Sequence, residues 1–183
     1  MGVTRGFTGR ERRGSDERLP PGQYDTGTGW PVLTAELTPQ VDLTTWDLTV
    51  DGLVEAPTTW TWAQIDALPR SSYNGDIHCV TTWSKFDTRW RGVPVAAVLD
   101  AAGVQPSATH SLTHAPHAYS ANLPLADLLR PECLIATSVD GGPIPPEHGG
   151  PVRTLVPHLY LWKSVKWVTG IQLLDHDVPG YWE

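Results

Sequence analysis

Two cysteines, seven histidines and a basic cluster late in the chain are the parts of this sequence equipped for chemistry. Cys79 sits in Ile77-His-Cys-Val-Thr-Thr-Trp-Ser84. A single cysteine between apolar residues is ordinarily an inert core residue; as a thiolate it would be a nucleophile or a soft metal ligand. Strand alternation sends His78 and Cys79 to opposite faces, so His78 is not placed as its base. The polar residues Thr81, Thr82, Ser84 and Lys85 that follow end this strand near solvent, where sites open onto loops.

Arg153 follows His148-Gly-Gly-Pro-Val and precedes Trp162-Lys-Ser-Val-Lys-Trp167. Its guanidinium offers a fork of donors, while Lys163 and Lys166 are point charges with Ser164 between them. Gly149 and Gly150 permit close backbone approach. The cluster suits a phosphate or polyanion; the plainer alternative is a solvated basic turn balancing Asp175 and Asp177. Its glycines match neither a phosphate-binding P-loop nor a dinucleotide fingerprint. His110, His114 and His117 would align as metal ligands only on a helix, and Pro116 with its β-like surroundings spoils that geometry. They are expected to be surface or groove histidines. Asp127 and Glu132 flank a loop with no apolar pocket signal to shift a carboxylate, so paired carboxylates for glycoside chemistry cannot be assigned.

The elements that must hold these residues read as short strands and short helices. Trp46, Leu48 and Val50 alternate with polar residues through Val54, which predicts a half-buried strand. Thr61 and Gln64 form a capping box for a short helix stopped by Pro69. Asp76 to Thr82 is β-prone. Pro94 sits at the first turn of a helix over Val95 to Ala102, with Gly103 as its stop. Thr109–His114, Leu134–Val139, Val152–Val156 and Trp167–Leu174 read as strands, Leu125–Leu129 as a helical turn or two, and Asp140–Pro151 as a long loop. The mixture lacks a regular βαβ beat and favours α+β with sheets as the scaffold.

At 183 residues the chain fits one domain, expected over 30–183, preceded by an extended N-terminal arm over 1–29. The net charge is −7, but five of the 13 Lys and Arg lie in the first 18 positions, leaving 8 basic and 17 acidic residues beyond them. Such a body repels a phosphate backbone, so no nucleic-acid partner is expected. Two cysteines cannot build a disulfide framework. No apolar run approaches the ~20 residues of a membrane span. Arg12-Arg13 is followed by a polar stretch rather than a hydrophobic one, so the expected compartment is the cytoplasm. Nine Trp in 183 residues is high, and rings of that size fill a core or wall a pocket.

Three segments together resemble the molybdopterin-binding domain of the sulfite oxidase family, most closely its small stand-alone bacterial members. They are His78-Cys-Val-Thr-Thr-Trp-Ser84 with Trp90-Arg-Gly-Val-Pro94, Tyr119-Ser-Ala-Asn-Leu-Pro-Leu125, and Gly150-Pro-Val-Arg-Thr-Leu-Val-Pro-His-Leu-Tyr160 running into Trp162-Lys-Ser-Val-Lys166. The resemblance spans about Leu19 to Glu183. It implies a mostly β fold with mixed sheets and short helices, holding one molybdopterin and a molybdenum ion. It further implies that Cys79 is the thiolate ligand to molybdenum, a soft donor that tunes the metal's potential. Arg153 would grip the terminal phosphate. Ser164, Val165 and Lys166 would supply backbone and ammonium contacts, His148 a polar pterin contact often made by Asn, and Tyr119 an edge of the substrate face.

By that resemblance the chain is a mononuclear molybdenum oxidoreductase that moves an oxygen atom to or from a small oxo substrate, sulfite or an S- or N-oxide. Electrons would pass to or from a separate redox protein. The stretch after Cys79 looks more like the methionine-sulfoxide reductase branch, and the several arginines with which sulfite oxidases hold a sulfite dianion have no counterpart. Gly27-Thr-Gly-Trp30 stands where the reductase branch has aromatic–acidic cofactor contacts. The chain ends at Gly180-Tyr-Trp-Glu183, where such members often continue, so that edge is expected to be less covered. The alternatives are a non-catalytic pterin- or anion-binding module that serves a protein partner, and a cysteine hydrolase.

Overall fold

The computed structural model of the chain describes residues 17–35 and 37–183. In chain order the strands and helices are β1 Tyr24–Asp25, β2 Asp47–Gly52, β3 Thr58–Thr61, α1 Trp62–Ala67, β4 Ser71–Cys79, β5 Trp83–Pro94 and α2 Val95–Asp100. They continue as β6 His110–His114, β7 Ser120–Pro124, α3 Leu125–Leu128, β8 Leu134–Val139, β9 Gly142–Pro143, β10 Arg153–Leu155 and β11 Gly170–Leu174. Single 3₁₀ turns lie at Pro146–His148 and Leu161–Lys163.

Two sheets carry the fold. One runs β1-β5-β8-β10, with β4 paired to β5 and β9 to β8; the other runs β3-β2-β11-β6-β7. Both are mixed: β1 pairs β5 and β11 pairs β2 in parallel, and the remaining ladders are antiparallel. The expected α+β architecture, mostly strands with short helices, is therefore what forms.

Local chemistry explains most boundaries. Leu48 and Val50 of β2 are fully buried and alternate with Asp47, Thr49 and Asp51, as the period-two pattern requires. At α1 both halves of the capping box are present: Gln64 N–H donates to Thr61 Oγ1 at 3.4 Å, and Thr61 N–H to Gln64 Oε1 at 2.8 Å. Pro94 is the residue before α2 rather than its first turn, with an extended ψ of 132°. Trp167 has φ 52°, a left-handed conformation, and β11 begins three residues later than the expected strand. The expected loop over Asp140–Pro151 holds the short β9 and a 3₁₀ turn.

The strand expected at Asp76–Thr82 is the end of the longer β4, which stops at Cys79. Thr82 N–H donates to Cys79 O at 3.0 Å, and Thr82 at φ 71° closes a three-residue hairpin loop into β5. Cys79 and Trp83 are thus paired at the mouth of a hairpin. The largest apolar cluster joins residues of both sheets, among them Leu48, Val50, Val93, Ile135, Ile171 and Leu173. A second gathers Ile77, Cys79, Trp83, Trp90, Leu134 and Leu155, with Tyr24 and Trp30 of the N-terminal segment packed on it. Most of the expected arm, residues 1–16, lies outside the described residues; its remainder is tied on by β1 and by Gln23 Nε2, which donates to Cys79 O at 3.1 Å.

Candidate active site

A cleft of about 680 Å³, open mouth included, is walled by Cys79, Tyr119, His148, Arg153, Ser164 and Lys166. Six of the seven residues expected at a site from the sequence are therefore brought to one place. Its other walls come from Trp30, Pro31, Leu33 and Thr34 of the N-terminal segment and from Trp83, Leu161, Trp162, Trp167 and Trp182.

Arg153 is the electrostatic centre. β10 sets it opposite Ala136 of β8, and only 2% of its surface meets solvent. Its guanidinium donates from Nη1 to His148 O at 2.7 Å, from Nη2 to Ser164 O at 2.7 Å and from Nε to Thr154 O at 3.2 Å. Five N–H groups are available on the fork, so two remain. Burial pulls its pKa down to about 10, which still leaves it charged at neutral pH. Among the described residues no carboxylate forms an ion pair with it. A buried cation without an anion costs several kcal/mol, roughly, so this one calls for an anionic ligand.

Lys166 stands beside it. Its ammonium donates to Leu33 O at 2.8 Å and to Glu147 O at 2.7 Å. Burial, reinforced by the Arg153 charge, pushes its pKa down to about 8. His148 is 6% exposed, and its ring lies flat on Trp30, with centroids 3.7 Å apart and planes within 5°. Burial first, and the Lys166 charge next, lower its pKa to about 4, so the imidazole is neutral at pH 7. Tyr119 donates its hydroxyl to the Trp162 carbonyl, and burial holds its pKa up at about 12. It is a neutral phenol in the wall.

Cys79 is 4% exposed, and its Sγ lies 3.1 Å from Thr81 Oγ1. His78 turns to the other side and meets Ser84 Oγ at 2.8 Å, as the strand alternation requires. Ser164 reaches the cleft, yet its Oγ accepts Val156 N–H at 2.9 Å and its carbonyl accepts Arg153. Val165 is the one expected residue not at the wall. Its side chain packs with Ala115 and Ala121, and its N–H donates to Thr154 Oγ1 at 2.7 Å. That amide is occupied within the protein, so Val165 contributes the position of its neighbours.

The glycine pair also has a different use from the one expected. Gly149 has φ 100°, and a Cβ there would lie 2.9 Å from the Lys166 side chain; a Cβ on Gly150 would run into the Ile144 carbonyl. Both glycines let the loop close on the protein itself, which sets Lys166. His110 and His114 lie on β6, and among the described residues no group of three His, Cys, Asp or Glu could hold a metal ion. The tryptophans are what residue-by-residue reading missed. Five of the nine line the cleft, and the unusual Trp count was the available signal.

A thiol, a buried guanidinium without a carboxylate partner, a tethered ammonium and aromatic walls on one cleft suit an anionic ligand and a soft metal. The comparisons name the group: the family model for the oxidoreductase molybdopterin-binding domain matches residues 35–182, and the chain belongs to that family. It is 41% identical over 179 residues to the uncharacterized oxidoreductase YuiH of Bacillus subtilis (strain 168), covering 97% of this chain and 90% of that one. It is 30% identical over 157 residues to the protein-methionine-sulfoxide reductase catalytic subunit MsrP of Gluconobacter oxydans (strain 621H), covering 75% of this chain and 49% of that one. Against mitochondrial sulfite oxidase of Drosophila melanogaster it is 30% identical over 106 residues, 53% of this chain and 18% of that one. The chain thus spans about half of the reductase subunit and under a fifth of the oxidase. The crystal structure of the sulfane dehydrogenase SoxCD from Paracoccus pantotrophus shares the fold, with a TM-score of 0.70 over 76% of this chain and 40% of that one at 22% identity.

The family's cofactor is molybdopterin with molybdenum, and the cleft fits it. Arg153 would offer the phosphate two N–H groups and an uncompensated charge, Lys166 a third N–H beyond its two carbonyls, and Cys79 would offer the metal a soft donor. Trp30 and His148 offer flat, uncharged surfaces to a ring system.

Proposed function

We propose that this chain is a mononuclear molybdenum oxidoreductase that moves an oxygen atom to or from a small neutral S- or N-oxide and exchanges electrons with a separate redox protein. The observation that carries the reading is the pairing of Cys79 with an anion-seeking, carboxylate-free Arg153 on one cleft. Bound there, molybdenum–pterin supplies two-electron oxygen-atom chemistry. The chain's own residues bind and orient it. Arg153 and Lys166 hold negative charge, Cys79 anchors the metal side, and the tryptophan walls exclude water.

Charge supports a neutral substrate over sulfite. Among the described residues, Arg153 and Lys166 are the only cations on the wall, and both are drawn to the cofactor's phosphate. No further wall cation is left for a dianion, whose desolvation would go uncompensated. Both cysteines are free thiols, which supports the cytoplasm as the compartment.

The test is Cys79→Ser in cofactor-competent material. We expect one molybdenum per parent chain by elemental analysis, loss of turnover in the variant, and pterin still bound to it. Full activity in the variant overturns the reading.

A further inference from the structure

Away from the cleft, the sheet has a face that the reading above does not use. Along β5, Thr88 and Trp90 point inward while Arg89 and Arg91 are exposed on the other side. Their cross-strand neighbours on β4 are Asn74 and Ser72, both uncharged and exposed. On β8 the adjoining residues are Thr137 and Ser138, and Arg70 joins Arg91 in lining a shallow groove. Neither the Arg89 nor the Arg91 guanidinium has a hydrogen-bond or ion-pair partner among the described residues. The carboxylates nearby are engaged elsewhere: Asp66 is paired with Arg70, Asp87, two residues before Arg89, is paired with Arg18 at 2.9 Å, and Asp140 accepts the Arg89 main-chain N–H at 2.8 Å. Three of only eight basic residues beyond position 18 thus gather on one face of an otherwise acidic body.

What lies beneath that face matters as much. Trp90, between the two arginines, turns inward and meets Trp30 edge-on at 5.6 Å. Trp30 stacks on His148, and both line the cleft. One strand and a continuous stack of π systems therefore separate the cationic face from the cofactor site.

We propose that the outer face around Arg89 and Arg91 docks an acidic one-electron carrier protein. The assignment to electron delivery rests on the oxygen-transfer reading; the charge complementarity does not. Removing oxygen from an S-oxide takes two electrons and two protons and releases the sulfide and water, so the carrier docks twice per turnover and is oxidised by one electron each time. Charge complementarity steers such encounters and makes them salt-dependent.

The experiment uses an acidic [2Fe–2S] ferredoxin as the probe and a basic c-type cytochrome as control, with surface plasmon resonance on the metal-free and the cofactor-loaded chain. The ferredoxin is expected to bind both forms, weakening steeply as salt rises, and the cytochrome to bind neither. In the double variant Arg89→Glu, Arg91→Glu, ferredoxin affinity and ferredoxin-driven reduction should each fall at least tenfold, while turnover with reduced methyl viologen stays at the parent rate. Arg89→Gln, Arg91→Gln should give an intermediate loss. Unchanged ferredoxin binding in the double variant, no binding to the parent, or tighter binding of the cytochrome each overturns the docking site. Absence of viologen-driven turnover with the binding pattern intact overturns the oxygen-transfer reading and leaves the docking site standing.

Discussion

Replacing Arg153 by Gln isolates the force that holds the cofactor. Three of the five guanidinium N–H groups are committed to the carbonyls of His148, Thr154 and Ser164, and two remain for the anionic group. Charge-assisted hydrogen bonds contribute about 1.5–3 kcal/mol each, so losing two costs about 3–6 kcal/mol, or roughly two to four decades in Kd. The fold should survive. Carbonyls left without donors cost roughly 1–3 kcal/mol each, but relief of a desolvated, unpaired charge offsets several kcal/mol. Arg153→Lys keeps the charge and loses the fork, and should fall between the two. The assay loads parent and variants with cofactor, dilutes them, and follows pterin release by fluorescence alongside molybdenum per chain. A Gln variant that releases cofactor at the parent rate would refute the electrostatic argument.

Three further outcomes follow from the same physics. Lys166, at about 8 against an ordinary 10.5, binds fewer protons folded than unfolded between those values. Its contribution to stability therefore rises with pH across that window, and Lys166→Met should flatten the rise in the urea midpoint of the metal-free chain. His148, at about 4 against 6.5, is held neutral in the fold, so stability tied to it is lost as pH falls from 6.5 to 4; His148→Asn should flatten that acid limb of thermal melts. Gly92→Ala should lower the thermal midpoint by several degrees, on the order of 1–3 kcal/mol, since its Cβ would overlap the Ile135 carbonyl and lie 2.7 Å from Ala136 Cα; an unchanged midpoint would show that the strands part freely.

What the sequence disclosed divides along physical lines. β2, β8 and α1 were legible because apolar alternation or a cap is written locally in each. The twelve-residue β5 is not legible as a strand, although it is the centre of its sheet. Ser84 and Thr88 are buried polar residues within it, and its pairing with β4 shifts register between them, which masks the period-two pattern. Their hydroxyls find acceptors outside the strand, Ser84 donating to Gln23 Oε1 at 2.5 Å and Thr88 to Gly75 O at 2.6 Å, partners that the local sequence does not announce. At the site, residue types pointed to Arg153 and Lys166, because charge in an acidic chain is conspicuous, while Cys79 as a metal ligand came only with the family resemblance of its segment. The role of Val165 was not legible, since whether an amide is free depends on Thr154, eleven residues away. Nor could spacing reveal that Trp30 would lie on His148 across more than a hundred residues.

The contribution of Trp30, Pro31, Leu33 and Thr34 to the cleft has a practical side, since all four precede residue 35, where the family match begins. A chimera spliced at that boundary would import a foreign ceiling over a native floor. Lys166 would lose its tie to the Leu33 carbonyl, and His148 its stacking ring. Grafting work on this scaffold should therefore move the leader of the domain and its basic loop as a single cassette.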